Sequence, residues 1–280
     1  MIIIKLWGGV GNQLFQYVFG QYIKYRYNQD VYYDDNAFMT VDRLRKPELD
    51  AVNGSISYNN QCDFSKYRGV VNRVLRYIFL AHPCHHFITE GTIMPSEFKR
   101  DHLYFMQGYW QDIKYYTWLR KNIKDFELRG GVFPSQLEPL REEIVSTSQS
   151  LSIHVRRGDY FSPRNVKTYG VCDADYFQRA VIEISKRTRI ENTFIFSDDL
   201  DWVKDNLPLG KNTTLIPNYD VSQFAYIQLM SLCRHHIISN SSFSWWGAVL
   251  NKQSGSIVIS PNRWMLNSDM TIALDEWIKI

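Results

Sequence analysis

Apolar residues come in short runs along this chain, cut apart by polar and glycine-rich breaks. "IIIKLW" (2–7) predicts a short buried strand and "GGVGNQ" (8–13) a turn. "LFQYVFGQYIKYRYN" (14–28) then sets Leu14, Val18 and Tyr22 or Tyr25 on one helical face, and "VYYDD" (31–35) reads as a second strand. Between 36 and 110, Asn, Gly, Pro and basic residues break every periodic stretch but one. That one, "VVNRVLRYIFLAH" (70–82), predicts an amphipathic basic helix that either covers the core or touches a partner or membrane surface. Further helices are predicted over 112–128 and 136–150, the second running into a Ser/Gln-rich joint. Beyond it, strands at 151–155, 193–197, 213–217, 236–239 and 256–260 alternate with helices at 174–187, 200–207, 222–234 and 243–251. This alternation predicts an α/β chain of two Rossmann-like domains, 1–148 and 149–280, facing a cleft. Ligands of such sheets sit outside the carboxyl ends of the strands.

Composition narrows the function classes. The 280 residues are 45% hydrophobic and 22% charged, a globular balance that suits two domains. The formal net charge of +3, from 32 Lys and Arg against 29 Asp and Glu, is too small to argue for nucleic acid. Aromatics reach 15%, and Trp and Tyr can stack on sugars and bases as well as fill cores. Cys62, Cys84, Cys172 and Cys233 form no CxxC pair, which points to free thiols in a reducing compartment. The apolar N-terminal stretch is too short for a signal sequence or a membrane span, and no later run reaches about 18 apolar residues. The expectation is a cytoplasmic chain, with the inner face of the cytoplasmic membrane as a further location and the 70–82 helix suited to an anionic surface.

Four constellations carry candidate chemistry. In Gly8-Gly9-Val10-Gly11-Asn12-Gln13 the glycines allow close backbone approach and a sharp entry into a helix whose first amides attract anions. The dinucleotide fingerprint fails at Leu14 and the phosphate-loop Lys-Ser/Thr pair is absent. In His154-Val155-Arg156-Arg157-Gly158-Asp159-Tyr160 strand alternation sends His154 and Arg156 to one face. Arg156 is expected to present its planar fork to a phosphate, with Arg157 and Asp159 paired to shape the turn. Arg157-Gly158-Asp159 also spells a cell-adhesion tripeptide, which keeps a non-catalytic binding module as an alternative. Ser197-Asp198-Asp199 ends a strand, where carboxylates either bind a ribose or base or cap the next helix. Asp199-Leu200-Asp201 is also a DxD, the pattern of a metal-dependent transferase. Ser239-Asn240-Ser241-Ser242-Phe243-Ser244-Trp245-Trp246 offers amides and hydroxyls to a phosphate, with the tryptophans as packing beneath. His82, Cys84, His85 and His86 invite a metal, yet no second ligand cluster supports one. His235 and His236 read as structural.

Together, "GGVGNQLFQY", "HVRRGDY", "FSDD" and "SNSSFSWWGA", in this order and spacing, resemble the bacterial α-1,2-fucosyltransferases of glycosyltransferase family 11. The resemblance spans nearly the whole chain. It implies a GT-B-like fold and inverting transfer of L-fucose from GDP-fucose to the 2-hydroxyl of a terminal galactoside in a surface glycan, without a metal or other cofactor. It places Arg156 on the β-phosphate, His154 beside the nucleotide, Asp198 or Asp199 near the nucleoside, and Asn240, Ser241 and Ser242 around the diphosphate. Gly9, Gly11 and Asn12 face the same cleft from the N-terminal domain. Asp159 is a candidate base for the acceptor proton, with Asp35 and Glu90 as others. Related sequences often carry an acidic residue at the position of Tyr226.

Overall fold

The computed structural model describes residues 1–40, 42–43, 45–52, 56–59, 81–161, 163–170, 172–266 and 271–280, without the side chains of 40, 51, 159, 161, 163 and 164. The predicted helix at 70–82 lies almost wholly outside the described residues. The chain divides into two compact units, Met1–Gly131 and Val132–Ile280.

The first unit opens with β1 (Ile2–Lys5), α1 (Val10–Tyr27) and β2 (Val31–Asp34). Short α2 (Asn36–Thr40) follows. Within the stretch that the sequence left irregular lie β3 (His85–Thr89) and β4 (Leu103–Gln107), followed by α3 (Ile113–Asn122). All four strands are parallel, in the order β2-β1-β4-β3. Ile2, Ile3 and Ile4 are fully buried, as a central parallel strand requires. The histidines of β3 and its short length hid it from a reading based on apolar runs.

The second unit contains α4 (Glu138–Ser146), β5 (Ser150–Val155), α5 (Pro163–Tyr169), α6 (Ala174–Ser185), β6 (Asn192–Ser197) and α7 (Leu200–Asn206). It continues through β7 (Thr213–Leu215), α8 (Gln223–Ser231), β8 (His235–Ile237), α9 (Ser242–Val249), β9 (Val258–Ser260) and β10 (Ile278–Lys279). Its six parallel strands run β10-β9-β8-β5-β6-β7. Period-two alternation splits the core. Leu151, Ile153, Val155 and Ile195 pack with α6 on one face, while Phe194 and Phe196 pack with α8 on the other.

The unit boundary falls earlier than the Ser/Gln-rich joint suggested. Leu137 and Ile144 are buried against the Phe194 and Phe196 side of the second sheet. Glu143 accepts hydrogen bonds from Asn192 Nδ2 (2.8 Å) and Thr214 Oγ1 (2.9 Å), tying α4 to β6 and β7. The helix therefore belongs to the second unit, and its polar tail is a surface loop within it.

The second sheet reverses direction once. The chain steps outward from β5 to β6 and β7, then returns to lay β8 on the other side of β5. The crevice outside the carboxyl ends of β5 and β8 is thus the topological switch point, where open α/β sheets bind ligands.

Candidate active site

The second unit's candidate residues converge on that switch point. Register pairs Val155 with Ser197, so Arg156 and Asp198 emerge side by side from β5 and β6. Arg156 Nη1 meets Asp198 Oδ2 at 2.7 Å, and the Arg157 N–H donates to Asp198 Oδ1 at 2.8 Å. A Cβ at Gly158 would come within 2.6 Å of Asp198 Oδ2, so a glycine is needed for this carboxylate to sit where it does. Ser239, just past β8, fixes the other side. Its hydroxyl donates to the His154 carbonyl (2.5 Å) and accepts the Arg156 N–H (3.2 Å). The Arg156 guanidinium lies 5.6 Å from the Tyr160 ring, whose hydroxyl donates to the Asn240 carbonyl (2.8 Å). Ser239 and Tyr160 lie within the constellations read from the sequence, but neither was given a role there, because their roles depend on contacts between distant segments.

The expected pairing with Asp159 falls on a side chain outside the description, but Arg157 has a further role. Its described acidic partner is Asp199 (Nε to Oδ2, 3.3 Å), and its guanidinium stacks 3.9 Å above the Trp202 ring. Asp159 sits in the single-turn helix Gly158–Phe161, and its side chain is outside the description. Asp199 Oδ1 meanwhile accepts the Trp202 N–H (3.0 Å) as the cap of α7. Both Asp199 oxygens are thus engaged in structure, and among the described side chains Asp198 is the carboxylate beside Arg156. Asp201, the second acid of the DxD, is turned outward to Lys204 (3.0 Å). Among the described residues no three His, Cys, Asp or Glu side chains cluster as metal ligands.

Of the three polar residues assigned to the diphosphate, one is committed elsewhere. Buried Asn240 donates from Nδ2 to the carbonyls of Tyr169 (2.8 Å) and Trp264 (3.2 Å), so it holds the loop. Ser241 occupies the N-cap position of α9 without making a side-chain cap bond, and Ser242 begins the helix. That turn presents the first amides of α9, a natural anion site. Trp245 and Trp246 are fully buried beneath it, as their spacing suggested.

His154 and His236 make an instructive contrast. Both are buried, and burial pushes each pKa down to about 3, helped by Arg156 for the first and His235 for the second. His236 is satisfied on both sides. Asn251 Nδ2 donates to its Nε2 (2.8 Å), so Nδ1 carries the proton and donates to Ser152 Oγ (2.7 Å). His154 stacks on Phe243 (5.1 Å between centroids), and its Nδ1 is buried with no hydrogen-bond partner. It borders a cavity of about 70 Å³ shared with Arg156, Asp198, Asn218, Gln223 and Phe243. Tyr226 also lines it, but its hydroxyl accepts the Tyr219 N–H (2.6 Å) and donates to the Pro217 carbonyl (2.9 Å). Tyr226 therefore shapes the pocket wall and is not an equivalent of a carboxylate.

In the first unit, Gly8 has φ +83°, and its N–H donates to Asp42 Oδ2 (2.7 Å). Gly9 caps α1, and Gly11 is buried in its first turn. Asn12 Oδ1 accepts from Gln111 Nε2 (2.7 Å). Two fully buried glutamines lock the turn. Gln13 Nε2 donates to the Gly8 and Lys46 carbonyls (2.9 and 3.0 Å), while its Oε1 accepts the Glu48 N–H (2.8 Å). Gln16 Nε2 donates to the Trp7 and Gly108 carbonyls, and its Oε1 accepts the Trp7 N–H, all at 3.2 Å. Glu90 is equally committed, accepting the N–H groups of Tyr109 (2.8 Å) and Gln111 (3.1 Å). Asp34, the neighbour of the candidate Asp35, is a buried acid that burial raises to about 6, with Asn36 Nδ2 donating to it at 2.5 Å. In the histidine-rich stretch, His82 stacks on His85, and His86 Nε2 hydrogen-bonds His102 Nδ1 (2.7 Å).

A parallel α/β unit with an arginine, serine hydroxyls and helix amides at its switch point gathers groups suited to an anionic ligand. The family model of glycosyl transferase family 11 matches residues 85–280, and the chain belongs to that family. Across its whole length it is 27% identical to the O-antigen biosynthesis glycosyltransferase WbnK of Escherichia coli (98% of each chain covered). It is 26% identical to an Escherichia coli alpha-1,2-colitosyltransferase (100% of this chain, 99% of the relative). Among solved structures, fucosyltransferase NodZ from Bradyrhizobium aligns with TM-score 0.56 at 12% identity, over 89% of this chain and 92% of its own. That likeness shows the fold. No helix among the described residues is long and apolar enough to cross a membrane.

Proposed function

We propose that this glycosyltransferase moves L-fucose from GDP-fucose to the 2-hydroxyl of a terminal galactoside, with inversion, forming an α-1,2 linkage in a bacterial surface glycan. The observation that carries the reading is Arg156 at the switch point, aimed by Asp198 and Ser239 and flanked by the Ser241–Ser242 turn. As the acceptor oxygen attacks C1 of the sugar, negative charge grows on the departing β-phosphate. A guanidinium and helix amides already in place stabilise that charge without reorganising. His154 and the small cavity beside it would take the nucleoside, the unpartnered Nδ1 gaining a hydrogen bond there. Asp159 remains the proposed base for the acceptor proton. Glu90 is less suited, since both its oxygens already hold the Tyr109–Gln111 turn.

The reaction is proposed to need no metal, because Asp199 and Asp201 are engaged with Arg157 and Lys204. A second reading keeps the site and changes the sugar: the full-length likeness to a colitosyltransferase favours colitose as an alternative donor residue. One experiment separates them. The purified chain is incubated with GDP-fucose or GDP-colitose and a panel of galactosides, with and without EDTA, and products are analysed for linkage. An α-1,2-fucosylated galactoside formed equally well in chelator is the expected result. Transfer from GDP-colitose alone would establish the second reading, and loss of activity in EDTA would overturn the metal-free mechanism.

A further inference from the structure

The second unit carries a larger concavity that the transferase reading leaves unused. It lies between α6, the first residues of β6 and β7, and the segment 207–212, and measures about 530 Å³. Its apolar walls are Ile153, Phe177, Val181, Ile190, Ile195 and Leu207, with Thr193 and Thr213 among the polar lining. The volume is within the range of about 300–1,000 Å³ usual for small-molecule pockets. Thr193 and Thr213 place it at the amino ends of β6 and β7, whereas Asp198 follows the carboxyl end of β6 and Arg156 that of the adjacent β5. It is therefore separate from the donor site.

The chemistry of its rim selects the occupant. Val181 and Leu209 remain 37% and 39% exposed at the mouth, so the apolar lining continues to the surface. The Glu191 carboxylate accepts from the Ser148 N–H (3.0 Å) and hydroxyl (2.8 Å) and from the Gln149 N–H (3.3 Å), which lower its pKa and use its lone pairs. Asn212 Nδ2 donates to the Glu191 carbonyl (3.0 Å). Lys211 is exposed, and among the described residues it has no acidic partner. The hydrocarbon walls match an apolar chain, and Lys211 supplies a cation at the rim. We propose that this cavity binds a dissolved single-chain anionic amphiphile. Its hydrocarbon lies over Phe177 and Ile195, and its head group meets the Lys211 ammonium.

Calorimetric titration of the full chain with monomeric dodecyl phosphate tests the assignment. One molecule is expected to bind per chain, with dodecanol at least about tenfold weaker because it lacks the charge. Val181→Trp fills the mouth and Lys211→Glu reverses its charge; each is expected to weaken binding at least about tenfold while leaving glycosyl transfer unchanged. Lys211→Glu is a surface change, so it carries the test if the tryptophan variant fails to fold. Equal affinity for dodecanol, several molecules bound per chain, or affinity untouched by Lys211→Glu would overturn the proposal. So would co-sedimentation with phosphatidylglycerol vesicles in the absence of any dodecyl phosphate binding.

Discussion

Two of the contacts that position Arg156 come from distant segments, and a third from four residues on. Asp198 orients the guanidinium, Ser239 holds the backbone N–H, and Tyr160 lies under the cation. Neighbouring Arg157, identical in chemistry, is spent on Asp199 and Trp202 and supports the start of α7. Replacing the two arginines in turn should separate these roles. Arg156→Ala is expected to lower the turnover rate about 10²–10³-fold, the usual loss when one transition-state donor is removed. Its urea midpoint should stay near that of the parent. Activity within about tenfold of the parent in a GDP-release assay would count against the assignment. Gly158 belongs to the same scale: the carboxylate that aims Arg156 occupies the space where a side chain would begin.

At the scale of elements, the turn between β1 and α1 shows how buried amides do work that glycine alone cannot. Gly8 allows the turn, yet Gln13 and Gln16 hold it by bonding backbone groups of three separate segments. Gln16→Leu removes the side-chain partner of the Trp7 N–H and of the Trp7 carbonyl, and one of the two donors to the Gly108 carbonyl. Each buried group left unpaired costs about 1–3 kcal/mol. The expected loss in urea unfolding is therefore at least about 2 kcal/mol, and a change within error of zero would show that these groups find other partners. Strand and helix order in the second unit was legible from periodicity, since each element alternates or repeats on its own. α2, β3, β4, α5 and β10 were missed, because short elements take their form from the neighbours they pack against. "SNSS" was legible as a turn rich in hydrogen-bonding groups, but not which residue serves which end: Asn240 ties the loop inward, whereas Ser241 leaves the helix uncapped.

At the scale of the whole molecule, buried titratable groups make stability depend on pH. His154 and His236 are held near pKa 3 in the fold against 6.5 when unfolded. Below pH 6.5 the unfolded chain binds protons that the native one refuses, so this stability is present above 6.5 and is lost as pH falls toward 3. Asp34, raised to about 6 from 3.8, acts in the opposite sense: the native state takes up its proton first, adding stability as pH falls from about 6 to 3.8. Two histidines against one carboxylate leave a net loss in acid. Unfolding free energy measured in urea at pH 7 and pH 5 should fall, and fall less in His236→Gln. An equal fall in both chains would remove His236 as a source of the effect.

The sequence by itself determined the α/β succession, the two strand-ending sites rich in Arg, Asp and Ser, and the placing of His154 and Arg156 on one strand face. Each follows from a local period or a local run, which a chain carries wherever it folds. Tertiary structure decided which charges remain to meet a ligand. Asp198 aims Arg156, and Asp199 is consumed by a helix end and Arg157. α4 joins the second unit by burying Leu137 and Ile144 against its sheet. These outcomes depend on the register of β5 against β6 and β8, and alternation within a strand says which face a residue takes but not which distant residue it will meet there.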